Sequence, residues 1–157
     1  MALPTTEMET TARAVAAEHG NRPDALIEIL HALQRALGCV PGTAVSTLAD
    51  ALNLSRAEVH GVVTFYHDFR DKPAGRHVLK LCRAEACQAM GAEALVARAE
   101  RRVGVSCGDT SADGRVTLEP VYCLGLCATA PSGMIDGRLI GRLTVAKLDA
   151  LLKEAGA

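Results

Sequence analysis

No stretch of this 157-residue chain is apolar for long enough to span a bilayer. Its start, Met1-Ala-Leu-Pro-Thr-Thr-Glu-Met-Glu, lacks a basic n-region and an apolar h-region. Those absences lead to the expectation of a cytoplasmic protein without a membrane partner. Charge bias is lacking as well: 17 Lys and Arg stand against 18 Asp and Glu, a net charge of −1. So small a field gives nucleic acid or an anionic surface no handle. There is no Gly-rich phosphate loop, no flavin or nicotinamide fingerprint and no Ser-His-Asp set that the sequence supports, so no catalytic residue is expected here. Internal repeats and low-complexity tracts are missing too. The length suits one ordinary domain, or a small domain with a helical extension.

What the chain does have is six cysteines. Four fall in two short clusters, Cys82-x4-Cys87 and Cys123-x3-Cys127. The first follows the strand-like run His77-Val-Leu-Lys-Leu81, and the second sits in Val121-Tyr-Cys-Leu-Gly-Leu-Cys-Ala-Thr-Ala-Pro131. Two loops with two thiols each can close on one metal centre from opposite sides. Four thiolates suit zinc or an iron–sulfur cluster, and cytoplasmic thiols stay reduced and available. Neither spacing is the Cys-x2-Cys knuckle of structural zinc. The plant-type ferredoxin pattern fails because Gln88 to Met90 supply no third cysteine. A rhombic [2Fe–2S] cluster needs two thiolates on each iron, which two separated pairs provide: Cys82 with Cys87 on one, Cys123 with Cys127 on the other. Gly125 allows backbone N–H groups close to sulfur, while Leu124, Leu126, Ala128 and Ala130 would exclude water and shift the reduction potential.

One [2Fe–2S] cluster held by Cys82, Cys87, Cys123 and Cys127 is therefore the expected cofactor. A structural zinc site, a disulfide pair and four buried free thiols stay as alternatives. Four soft ligands leave no open position for substrate, so the chain reads as an electron carrier. Cys39, two residues before Pro41, and Cys107, at the end of Val103-Gly-Val-Ser, read as inert small hydrophobes.

The pattern changes near Lys72-Pro73-Ala-Gly75, dividing the chain into a helical bundle over 1–72 and an α/β domain over 73–157. A lead helix over residues 9 to 19 ends at Gly20. Pro23 is placed for a first helical position, Leu26, Ile27, Leu30, Leu33 and Leu37 recur at helical spacing, and Gly38 suits the left-handed position after a helix. A second helix is expected over Thr43–Leu52. A third opens with the capping box Ser55-Arg-Ala-Glu58 and puts Val59, Val62, Val63 and Tyr66 on one face, with His60 and His67 sharing another. Beyond Gly75 the reading is a strand at 77–81, a helix at 91–102, strands near 103–107 and 115–120, turns at Asp113-Gly114 and Asp136-Gly137, and a helix at 144–155. Val45 to His60 also reads as a helix-turn-helix, which would make a redox-sensing DNA-binding protein an alternative of another class. Its would-be recognition helix has only Arg56 and Arg70 as fixed cations, which is thin for phosphate contact. Arg83 and Glu85, between the first two cysteines, read as cluster-tuning, partner-facing or simply solvated.

The runs Gly75-Arg-His-Val-Leu-Lys-Leu-Cys82, Gly91-Ala-Glu-Ala-Leu95 and Val121-Tyr-Cys-Leu-Gly-Leu-Cys127 with Ala130-Pro131 resemble the thioredoxin-like [2Fe–2S] ferredoxins, and more narrowly the 24-kDa subunit family of NADH:quinone oxidoreductase. Leu37-Gly-Cys-Val-Pro41 and Val59-His-Gly-Val-Val-Thr-Phe-Tyr66 are similar to that family's helical N-terminal segment. Leu54 to Arg70 and Cys82-Arg-Ala-Glu-Ala-Cys-Gln88 look most like the gamma subunit of cytosolic, molybdenum-containing, NAD-dependent formate dehydrogenase. The resemblance implies an α/β, thioredoxin-like [2Fe–2S] ferredoxin domain preceded by an N-terminal helical bundle. It implies an electron-transfer subunit of a multisubunit complex that turns formate and NAD into CO2 and NADH. Electrons would pass singly to or from an FMN-bearing partner, with FMN, NAD and the molybdenum cofactor on partner subunits only. The equivalent subunits of an NAD-linked hydrogenase and of NADH:quinone oxidoreductase share the ligand frame and stay as alternatives. The docking face is expected near the cysteine loops and the helix over Val59–Phe69. Asp136 departs from the Asn usual in respiratory relatives and is not a ligand.

Overall fold

In the first half, helices start and stop where local chemistry allows it. The computed structural model describes residues 4–157, so the opening Met1-Ala-Leu, part of the leader reading, lies outside the described residues. Helix α1 covers Thr5–Glu18, α2 Leu26–Leu37, α3 Gly42–Leu52 and α4 Arg56–Phe65. A 3-10 turn over Pro23–Ala25 leads into α2, which ends at Gly38 with φ 80°. The capping box at Ser55 is complete. The Ser55 hydroxyl accepts from the Glu58 N–H at 3.2 Å, and the Glu58 carboxylate accepts from the Ser55 N–H at 2.8 Å. Helices this short are marginal alone and persist here because they bury one aliphatic stripe each. α1 packs on α2 and α3, and α3 on α4, around Ile29, Leu30, Leu33, Leu48, Leu52 and Val59. Each such side chain removed from water contributes about 1.5–3 kcal/mol.

α4 is shorter than its sequence suggests. It ends at Phe65, and Tyr66 turns to φ −88°, ψ 111°. Tyr66 therefore leaves the Val59 face, and His67 shares no helix face with His60. The chain beyond is held by the Gln34 side chain, which donates to the Asp68 carbonyl at 2.7 Å and accepts from the Arg70 N–H at 2.8 Å. Those bonds replace helix continuation and leave Phe65 72% and Tyr66 42% exposed.

A second compact unit begins at Ala74, the first ending at Pro73. Its strands are β1 His77–Cys82, β2 Val116–Val121, β3 Gly133–Ile135 and β4 Arg138–Ile140, in the order β2-β1-β3-β4. β1 and β2 run parallel, registered from His77 opposite Val116 to Cys82 opposite Val121. β3 is antiparallel to both β1 and β4. Asp136 and Gly137, at φ 49° and 85°, make the tight turn between β3 and β4, with the positive φ values a two-residue hairpin needs. Between β1 and β2 come α5 Glu85–Ala89 and α6 Ala92–Val103, and α7 Val145–Glu154 closes the chain. Leu79, Leu81 and Leu118 meet Ala99, Leu148 and Leu152 in an aliphatic core.

No strand forms at 103–107. Val103 is the last residue of α6, and Gly104 at φ 79° ends the helix. The following loop runs beside β2 through a Gly108 N–H bond to the Leu118 carbonyl at 2.7 Å and a bridge between Thr110 and Thr117. Among the described residues no helix is long and apolar enough to cross a membrane.

Candidate metal centre

Both cysteine pairs leave the same end of the sheet because β1 and β2 are parallel neighbours. β1 ends on Cys82, and the chain enters α5, which carries Cys87. β2 ends on Val121, and two residues later Cys123 opens a loop that reaches Cys127 at the head of a 3-10 turn. Crevices beyond the carboxyl ends of parallel strands are where such sheets place ligands. Backbone bonds tie the loops down: the Arg83 N–H donates to the Val121 carbonyl at 2.8 Å, and the Cys82 N–H to the Ser132 carbonyl at 3.1 Å.

All six thiols are free. Cys82 and Cys87 are each 2% exposed and share an apolar cluster with Ala92, Ala84, Val121, Leu124 and Ala130. Cys123 and Cys127 are exposed, with their sulfurs 3.8 Å apart. Two sulfurs on one tetrahedral metal, each bonded at about 2.3 Å, stand roughly 3.8 Å apart, a separation this pair matches. Gly125, at φ 74°, turns its N–H onto the Cys123 sulfur at 3.3 Å. Cys123 itself lies at φ 154°, a conformation that non-glycine residues seldom hold outside functional loops.

The sulfurs also sense one another. Burial pushes the Cys82 thiol up, with the nearby Cys87 adding to it. Burial opposes ionisation of Cys87 too, but the Ser132 hydroxyl, the Cys82 thiol and the Ser132 N–H outweigh it and hold Cys87 below its ordinary value. Cys127 is raised by its hydrogen bond to Cys123, by the charge of Cys123, and by Cys87 and Cys82 across the site. The charge of the first pair is thus felt at Cys127 in the second loop. Among the described residues no three His, Cys, Asp or Glu side chains gather tightly enough around one point for a single ion. Two cysteine pairs offered from two loops match the two thiolates per iron that a two-iron cluster takes.

The leftover cysteines stand apart from this set. Cys39 is buried between α2 and α3, and Cys107 packs beside the α6 and α7 core; burial raises both thiols, as inert cysteines require. Arg83 is engaged by Glu93 of α6 through two bonds of 2.9 and 2.8 Å, so it braces the first loop against α6. Sequence reasoning missed two features. Cys87 sits on a helix, too short to show a period, and the buried Ser132 hydroxyl lies 3.5 Å from the Cys87 sulfur. The only signal for Ser132 was its place after Ala130-Pro131.

The profile of the thioredoxin-like [2Fe-2S] ferredoxin family matches residues 12–156 and so takes in both units. The E subunit of NADH-quinone oxidoreductase from Pseudomonas aeruginosa is 40% identical over 112 residues, 71% of this chain and 68% of that protein. Its counterpart from Escherichia coli K12 is 37% identical over 129 residues, 82% of this chain and 78% of its own. The NADP-reducing hydrogenase subunit HndA of Solidesulfovibrio fructosivorans is 31% identical over 129 residues, 82% of this chain and 75% of its own. Among solved structures, an NAD+-reducing [NiFe]-hydrogenase in the air-oxidized state aligns over 84% of this chain with a TM-score of 0.70 and 27% identity. This chain spans 23% of the length of that hydrogenase chain, so the likeness is to one segment of a larger polypeptide.

Proposed function

Because this chain belongs to the thioredoxin-like [2Fe-2S] ferredoxin family, we propose that it is a one-cluster electron-transfer subunit of a multisubunit NAD-linked oxidoreductase. Relatives from NADH-quinone oxidoreductase and from NADP-reducing hydrogenase support that class of complex. Within it, the proposal is the subunit of a molybdenum-containing, NAD-dependent formate dehydrogenase. The runs Leu54 to Arg70 and Cys82 to Gln88 favour that choice. The observation that carries the general reading is the delivery of two cysteine pairs from adjacent parallel strand ends, one pair already at chelating distance.

In this proposal Cys82 and Cys87 ligate one iron, and Cys123 and Cys127 the other. When bound, such a cluster takes up and releases one electron at a time. The chain's own residues hold it and shape its surroundings. Cys82 and Cys87, with Ala84, Ala92, Val121, Leu124 and Ala130 about them, exclude water from the inner side. The Gly125 N–H lies on the Cys123 sulfur and the Ser132 hydroxyl beside the Cys87 sulfur. In this reading the chemistry belongs to partners: a subunit carrying FMN and NAD, and one carrying molybdenum. A cytoplasmic location belongs to the same proposal.

The test is to form a complex with the flavin-bearing partner from the same operon or assembly, add NADH and follow cluster reduction by EPR. A single S = 1/2 signal that grows with NADH is expected, and the chain alone neither oxidises formate nor reduces NAD. A complex whose cluster NADH leaves oxidised overturns the reading. Formate-dependent NAD reduction by the purified assembly, lost when the molybdenum subunit is omitted, decides for formate dehydrogenase over the hydrogenase and quinone-linked alternatives.

A further inference from the structure

We propose that Ser132 is a positioning residue for the cluster, its side-chain hydroxyl donating a hydrogen bond to the Cys87 sulfur and so raising the reduction potential of the bound centre. The role presupposes that Cys87 ligates iron.

Ser132 is 2% exposed, one of three buried polar residues among the described residues, with Thr47 and Thr117. A buried hydroxyl without a partner loses its hydration with nothing in return. Thr47 satisfies its own through the Thr43 carbonyl, and Thr117 through Thr110 and the Gly75 N–H. Ser132 turns instead to sulfur. Its oxygen lies 3.5 Å from the Cys87 Sγ.

That placement is rigid. The Ser132 carbonyl accepts from the Cys82 N–H at 3.1 Å, and β3 begins at the next residue. The Pro131 carbonyl accepts from the Leu143 N–H at 2.8 Å. Ser132 is thus pinned to the end of β1, with its hydroxyl aimed at the inner pair.

A thiol sulfur could give or take this hydrogen bond. A sulfur bound to iron carries no proton, so the hydroxyl must then donate. Reduction adds a negative charge that spreads onto the sulfurs, which strengthens every hydrogen bond they accept. A donor fixed before reduction therefore stabilises the reduced form more than the oxidised one. The exposed pair draws on solvent and on Gly125; the buried pair has no water to draw on, and Ser132 takes its place.

The experiment compares Ser132→Ala, Ser132→Val and Ser132→Thr in the full cluster-loaded chain. Iron content is measured first, then the midpoint by EPR-monitored redox titration. Val and Thr have nearly the same shape and differ in the hydroxyl, so their contrast isolates the hydrogen bond from packing. With two irons retained per chain, the Ala and Val chains should show a reduced-to-oxidised ratio at least threefold lower at the wild-type midpoint. That change corresponds to about 28 mV at 59 mV per decade. The Thr chain should titrate with the wild type. Val titrating with Thr, or Thr shifting as far as Val, overturns the role. If Ala and Val lose the cluster while Thr keeps it, a wild-type midpoint for Thr upholds the role and a displaced one overturns it. Loss from all three assigns Ser132 to packing and also overturns it. A Cys87→Ser chain separates this proposal from its premise. An unchanged cluster there sinks the ligand assignment, whereas a lost cluster with a wild-type Val midpoint sinks the Ser132 role alone.

Discussion

Cys82 and Cys87 are almost fully buried, whereas Cys123 and Cys127 face solvent, although both pairs leave the same end of neighbouring parallel strands. The segment after each strand makes the difference. Beyond β1 the chain folds into α5 and then α6, which roof the first pair with Ala84 and Ala92. Beyond β2 it loops outward with Cys123 at φ 154° and Gly125 at φ 74°, and no helix covers it. The inner half of the site is thus part of the protein's core, and the outer half is an exposed loop.

The largest effect is expected from removing ligands. Single Cys→Ser changes at 82, 87, 123 and 127 should each abolish the visible charge-transfer bands and reduce bound iron severalfold or more. Cys39→Ser and Cys107→Ser should keep both. Iron assay and EPR check this, and full loss of the cluster from Cys107→Ser would show the ligand set to be wrong. Loss from the inner pair alone would mean that the outer pair is not a ligand pair at all.

Metal removal should split the two halves. Ligand bonds stabilise whatever the fold leaves loose. Residues 121–131 should therefore gain more hydrogen-exchange protection on cluster loading than residues 82–87, whose backbone is already in β1 and α5. Equal gains in both segments would abolish the contrast.

Packing behind the outer loop provides a third lever. A Cβ added at Gly141 would lie 2.9 Å from the Thr129 Cβ and closer still to its hydroxyl oxygen, with Thr129 two residues after Cys127. Gly141→Ala should cost about 1–3 kcal/mol through overpacking, lower Tm, and speed iron loss to a chelator. Unchanged chelation kinetics would mean that the outer loop is independent of its support.

The contrast was only half legible in the sequence. Cysteine spacing marks the four residues, and the alternation of periods after Gly75 marks a sheet with both pairs beyond strand ends, because those signals are local. The Ser55 capping box is also local, and both of its bonds form. Burial is not local. That α5 and α6 roof one pair and not the other depends on five helical residues too few to show a period, and on Ala92 arriving from a helix start. The strand expected at 103–107 failed because Val103, Val105 and Cys107 alternate with small and polar residues; Gly104 made the helix end there, and a short apolar run does not reveal which element owns it. The face shared by His60 and His67 failed because Gln34, 34 residues from Asp68, competes for the backbone that would have extended α4.

The smallest effect is expected at the far end of β1, where the sheet starts instead of ending. His77 Nδ1 lies 2.8 Å from Asp136 Oδ2, and Asp136 Oδ1 accepts from the Val78 N–H at 2.8 Å. Burial alone would raise the Asp136 carboxyl, but the His77 ring and the Val78 N–H outweigh it and hold it below its ordinary value. A carboxyl lowered in the folded state stabilises fully above its unfolded value of about 3.9, and that stability is lost as pH falls through the folded value. Solvent reaches about half of both side chains, 39% and 46% exposed, so screening keeps the contribution small. Asp136→Asn keeps an acceptor for Val78 and removes the titration. Urea midpoints of the metal-free chain should therefore fall less between pH 6 and pH 3 in the variant than in the wild type. The cluster spectrum of the loaded variant should not change, because the length of β1, about 17 Å at 3.3–3.4 Å per residue, separates this corner from Cys82. A variant whose acid slope equals that of the wild type would remove Asp136 from the pH response. A shifted cluster spectrum would show that the two ends of β1 are coupled and that the inner half of the site is less self-contained than its burial implies.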